Sequence, residues 1–127
     1  MALYHFKSRF VVFIEKGIKH GTIRKLRKVQ TKIGDPIYMY TGSRFKPIKI
    51  GQAICRSVHM ITITSKSISV QIGKHEVSKL ESIDALNVFA RGDGFADWES
   101  MKEFWRETHG TVSFTGEWIR WYNFKKA

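Results

Sequence analysis

The chain of 127 residues has one cysteine, Cys55, and two prolines, Pro36 and Pro47. A single thiol excludes a disulfide within the chain, and a cytoplasmic, reducing setting is the simplest expectation. No apolar run approaches the roughly 20 residues that a membrane span needs. Met1–Lys7 lacks the charged-then-apolar order of a secretory leader, so no membrane partner is expected. There is no repeat, low-complexity tract or Pro/Gly-rich linker, and residues 1–127 read as one domain able to bury its own core. The five histidines (His5, His20, His59, His75 and His109) have no zinc-site spacing, and one cysteine makes no Cys-x-x-Cys. Gly92-Asp93-Gly94 is too short for a dinucleotide fingerprint, and Gly17…Gly21-Thr22 lacks the Walker spacing and ending. Neither a metal nor a cofactor is therefore expected. Nothing in the pattern fixes an oligomeric state.

Acidic residues are scarce in one half only. Residues 1–56 hold 13 Lys/Arg against Glu15 and Asp35, a net of +11, whereas residues 57–127 hold 9 of each sign. A basic field confined to one part of a fold attracts polyanions, because neutralising phosphates releases their counterions. RNA or a nucleotide is the partner this favours. A merely solubilising surface, or one facing an anionic membrane, is the plainer alternative.

The remaining pattern is that of a small α+β domain. Ser8–Gly17 is ambiguous: Ser8 and Gly17 suit the ends of a helix, while Phe10–Ile14 has strand-like composition. Ile37–Tyr40 reads as a short buried strand, Thr41–Pro47 as a loop, and Ile48–Thr64 as one long strand or two. Met60–Thr64 and Ser67–Ile72 both alternate with period two, and the Ser65-Lys66 link suggests a hairpin. Glu81–Ala90 predicts a helix. Asp97 is a candidate N-cap for a second helix ending near His109, with Gly110 just beyond; Trp98, Met101, Trp105 and Thr108 recur at helical spacing. Phe114–Tyr122 reads as a final strand. The order suits a curled sheet with flanking helices.

The segment Gly17-Ile18-Lys19-His20-Gly21-Thr22-Ile23-Arg24 stands out. If it is extended, Thr22 and Arg24 share one face with Lys19 just upstream, while Ile23 points away. A solvated basic loop is the competing reading. Three motifs occur in order: Gly-x-Lys-x-x-Thr-x-Arg here, Lys32-Ile33-Gly34-Asp35 leading into a strand, and Asp93-Gly94-Phe95 before the Trp98 helix. Together they resemble the ASCH family of the PUA-like superfamily. The resemblance implies a PUA-like, mostly antiparallel curled β-barrel with flanking helices and a cleft between them. It implies RNA or nucleotide binding and, in small bacterial members, hydrolysis of acylated cytidine by a Lys, a Thr and a Glu. Lys19 and Thr22 stand at the first two positions; Asp93 stands where Glu is usual, one methylene shorter.

An amidohydrolase needs a nucleophile, a proton acceptor and a group to stabilise the oxyanion. Thr22 would supply the hydroxyl, Lys19 would accept the proton, Arg24 would face negative charge, and Asp93 would orient Lys19. As a binding cleft the same place would be lined by Lys19, Thr22, Arg24, Tyr40 and Asp93. Lys25, Arg27 and Lys28 are candidates for phosphate contact, and Tyr40 and Arg44 for stacking on an unpaired base. Tyr38 and Phe45 could stack likewise or belong to the core. Two further possibilities are a ribonuclease in the same cleft and a protein-interaction module using exposed aromatics near Trp118 and Trp121.

Overall fold

A strand of 18 residues, β4 (Lys46–Ile63), organises the molecule, whose computed structural model describes residues 2–127. Along one edge β4 pairs antiparallel with β3 (Pro36–Ser43) and then with β5 (Ile68–Gln71); along the other it pairs with β7 (Phe114–Lys126). Strand β1 (Ala2–His5) adds in parallel to β3, β6 (Val77–Leu80) to β5, and β2 (Gly21–Arg24) to β7. Register shifts at Met39/Tyr40, Gln52/Ile54 and Cys55/Ser57 interrupt the ladders. Each extra residue bends its strand and increases the twist, and the sheet curls into a half-barrel. The expected α+β class, with a curled and mostly antiparallel sheet, is therefore observed.

Alternation places Ile37 and Met39, Ala53 and Cys55, Ile61 and Ile63, and Ile119 and Trp121 in the buried core. Helix α3 (Trp98–His109) covers it with Trp98, Met101 and Trp105. Its ends are as anticipated: the Asp97 carboxylate accepts from the Ser100 amide at 2.8 Å, and Gly110 takes φ of 75°. Thr108, expected in the same stripe, is exposed. Helix α2 (Ile83–Gly92) lies two residues beyond its expected position, because Ser82 supplies the N-cap, accepting from the Ala85 amide.

Other elements depart from the sequence reading. Ser8–Gly17 resolves as a 3-10 turn, Ser8–Phe10, leading into the short helix α1 (Val11–Glu15). Burial of Phe10 and Ile14 outweighs the strand-like composition, and the Ser8 side chain makes no cap. Most of the expected loop Thr41–Pro47 is paired strand; only Arg44-Phe45 forms the turn. Both prolines sit in strands. Pro36 begins β3, and Pro47 lies where β4 has not yet met β7, so a missing N–H breaks no ladder bond there. Ile48–Ile63 belongs to one strand, and Thr64, Ser65 and Lys66 lie in the link of a β4–β5 hairpin. Strands β1 and β6 carried no clear sequence signal.

Candidate functional site: a pocket at the seam of the half-barrel

The strand path β2–β7–β4–β3–β1 brings its two ends together without a backbone ladder between β1 and β2. Side chains close this seam. The Arg24 guanidinium donates to the His5 carbonyl at 2.7 Å, and that of Arg27 donates to the Leu3 carbonyl. Tyr4 and Thr31 hydroxyls bond at 2.7 Å. Arg24 lies over the Phe6 ring at 4.8 Å and Arg27 over the Tyr4 ring at 3.9 Å. A planar, multi-donor guanidinium suits this combined stacking and carbonyl capping. Arg24 and Arg27 are thus structural clasps on the β1 edge.

Beside the seam opens a pocket of about 450 Å³. Lys19, Thr22, Arg24 and Asp93 supply its polar lining; Phe6, Phe10, Phe95, Phe104 and Trp105 supply apolar walls; Lys7, Lys25 and His109 also border it. The polar group is assembled by three local devices. After α1, the amides of Ile18 and Lys19 both bond the Phe13 carbonyl, and His20 is pinned between the Gly92 carbonyl and the Trp121 amide. This directs Lys19 into the pocket. Asp93 sits at the C-terminus of α2, its amide bonded to the Phe89 and Ala90 carbonyls. Gly94 follows with φ of 94°, and a Cβ there would meet Lys19 Cδ and Phe10 Cδ1, each at 3.1 Å. Only glycine lets the chain turn this close to Lys19.

Lys19 Nζ donates to Asp93 Oδ1 at 2.9 Å and to the Asp93 backbone carbonyl at 2.6 Å. Lys19 is 3% exposed and Asp93 6%. Burial pulls the Lys19 pKa below its ordinary value, with Asp93 opposing, and pushes the Asp93 pKa up, with Lys19 opposing. Burial thus brings the proton affinities of the two groups closer together than they are in water. Phe10 lies under the ammonium at 4.8 Å. Thr22 Oγ1 accepts from Arg24 Nε at 3.1 Å, which leaves the threonine O–H proton free to be donated. Thr22 and Arg24 do share a face, as extended backbone over β2 requires.

The structure thus gathers Lys19, Thr22, Arg24, Lys25, Arg27 and Asp93 around one pocket. Asp reaches Lys19 directly despite its shorter side chain. Lys28 is exposed but does not line the pocket, and neither do Tyr40, half-buried in β3, and Arg44, at the β3–β4 turn. Phe45 beside Arg44 is 89% exposed, and Tyr38 is half-buried beneath Lys49, so neither is core. Trp121 is not an exposed aromatic: it is 4% exposed and packs edge-on against Phe6 at 5.9 Å. Trp118 is half-buried against Phe89, at 4.9 Å. Of the two tryptophans, Trp121 therefore belongs to the core, and only Trp118 keeps accessible surface.

One group escaped the sequence reading. Glu117 is 0% exposed, and neither carboxyl oxygen has a hydrogen-bond partner. Burial raises its pKa, with Gln30 and the charge of Arg27 opposing. The signal was present: Glu117, Ile119 and Trp121 alternate along β7, which puts Glu117 on the same inner face as the two buried apolar residues.

Among the described residues no group of three or more His, Cys, Asp or Glu is placed to hold a metal ion, and no helix is long and apolar enough to cross a membrane. The chain has no significant match to a protein-family model, a curated protein or a solved structure.

Proposed function

We propose that the half-barrel is a PUA-like domain of the ASCH type, and that the seam pocket binds a nucleotide or a single unpaired RNA base. The observation that carries this reading is the buried Lys19–Asp93 pair at a pocket that also presents Thr22, Arg24 and aromatic walls. A volume of about 450 Å³ falls within the range of small-ligand sites, roughly 300–1,000 Å³. Apolar walls with few convergent polar groups suit a planar base, and the exposed Lys7 and Lys25 at the border suit its phosphate. Because Arg24 and Arg27 already clasp β1, few cations remain for phosphates. The affinity for a short single-stranded RNA should therefore fall with salt at a log–log slope of only about −1 to −2. Calorimetric titration with cytidine 5′-monophosphate tests the reading: Lys19→Met and Thr22→Ala should each weaken binding by about tenfold or more. Binding unchanged in both variants would refute it.

A second reading, amide hydrolysis on an N4-acylated cytidine, is favoured by direct contact between Lys19 and Asp93. Thr22 Oγ would attack the acyl carbon while its proton passes to Lys19 in its neutral form. The carbon–N4 bond would break as that proton returns to N4, and water would then hydrolyse the acyl–Thr22 ester to a carboxylate. Incubation with N4-acetylcytidine, and separately with RNA, distinguishes this activity from ribonuclease action and from binding alone. Deacetylation that survives both Lys19→Met and Thr22→Ala would exclude this site.

A further inference from the structure

The extended segment Lys19-His20 has two sides. Lys19 faces the seam pocket; His20 faces a second cavity of about 610 Å³ on the outer side of β7, under α2. Asp93 forms part of both walls, so the two cavities stand back to back. The outer cavity has an apolar slab made by Leu80, Val88, Phe89 and Trp118. Phe89 and Trp118 pack against each other at 4.9 Å.

Arg120 lies across this slab, its guanidinium 5.0 Å from the Trp118 ring centre. Among the described residues it makes no ion pair, and its buried Nε has no hydrogen-bond partner. This contrasts with Arg24 and Arg27, which spend donors on backbone carbonyls. The His20 ring also makes no hydrogen bond to the described residues, and burial followed by the charge of Arg120 lowers its pKa, so at neutral pH it is an uncharged donor–acceptor. The Ser82 hydroxyl accepts the α2 cap bond and keeps its own proton to give. Two carboxylates also border the cavity, but Asp93 is held by Lys19, and Asp84, exposed in the first turn of α2, makes no ion pair with Arg120. A stacked cation with no ion pair of its own, beside an aromatic wall and spare donors, matches a flat ring that carries a negative charge.

We propose that this outer cavity is a second binding site, distinct from the seam pocket, for a small planar aromatic anion. The ring lies on the Trp118–Phe89–Val88 slab, and the anionic group meets the outer nitrogens of Arg120 with His20 alongside. The charge can be a phosphate on a nucleoside or a carboxylate on a ring; the two share the same recognition.

The test is a titration of the full chain followed by NMR, reading the Trp118 indole, the Val88 methyls and the His20 ring. The probes are adenosine 5′-monophosphate, indole-3-acetate and the uncharged adenosine. Saturable shifts at these three residues with either anion are expected, with adenosine at least about tenfold weaker. Stronger binding of the nucleotide identifies the phosphate source, and stronger binding of the indole acid the carboxylate source. Arg120→Met should weaken the anion by about tenfold or more. Val88→Glu, at an exposed position of α2, should do so without touching the core. Thr22→Ala, which alters the lining of the seam pocket alone, should leave these shifts in place, which separates failure here from failure of the seam pocket. Absence of shifts at all three residues, equal binding of adenosine, or binding unaffected by both Arg120→Met and Val88→Glu would overturn the proposal.

Discussion

Replacing Asp93 by alanine isolates the strongest electrostatic feature of the structure. The substitution removes the Oδ1 partner held at 2.9 Å by a lysine that is 3% exposed, and leaves its ammonium with only the backbone carbonyl at 2.6 Å. The backbone at position 93 has φ of −95°, which alanine adopts freely, so no strain is added. Breaking a buried pair by removing one partner costs about 3–5 kcal/mol, a large part of a typical total stability of about 5–15 kcal/mol. The pH dependence carries the sharper signature. Without Asp93, burial lowers the Lys19 pKa unopposed, so the unfolded chain binds more protons than the folded one between the lowered pKa and the ordinary 10.5. Stability must then rise with pH across that window. Urea unfolding at neutral pH and near pH 10 should show a large deficit that shrinks as Lys19 gives up its proton. The double variant Lys19→Met/Asp93→Ala should recover most of the loss, because an apolar replacement needs no counter-ion. A loss under about 1 kcal/mol at both pH values would refute the reasoning, as would a double variant no better than the single.

The other expectations follow the same geometry. Gly94→Ala should cost roughly 1–3 kcal/mol, since it combines a left-handed φ with contacts at 3.1 Å to Lys19 and Phe10; denaturant midpoints measure it, and an unchanged midpoint would remove the close-approach argument. Arg24→Met or Arg27→Met should loosen β1 at the seam, raising amide exchange there while α3 stays protected; uniform exchange across both would mean that the arginines do not clasp the seam. Glu117 has a raised pKa, so its folded state holds a proton that the unfolded chain releases above about 4.5. The wild type should therefore lose stability as pH rises through the folded pKa, and Glu117→Gln should flatten that decline. Parallel pH profiles would show that the carboxyl is not confined as described.

How far these features could be read from sequence depended on their range. The ends of α3 were legible because Asp97 and Gly110 act within a few residues of the backbone they cap. The face shared by Thr22 and Arg24 was legible for the same reason, given extended backbone. Asp93 came through motif order, since nothing local says that a turn residue 74 positions away reaches Lys19. The seam was not legible. Arg24 and Arg27 look like free basic residues until β1 is seen to end the sheet opposite β2, and the strands that set this up are short and weakly patterned. Thr41–Pro47 misled for a related reason: turn-forming residue types were absorbed into a hairpin whose register is fixed by the rest of β3 and β4.

If the proposed function is right, Lys19, Thr22, Arg24 and Asp93 act together as one ligand pocket. Backbone and side-chain shift mapping during titration with cytidine 5′-monophosphate tests it most directly. Saturable changes are expected at Lys19, Thr22, Arg24 and the Asp93–Phe95 turn, abolished by Lys19→Met. Changes confined to the exposed Arg44-Phe45 turn, or none at ligand concentrations that saturate ordinary nucleotide sites, would contradict it.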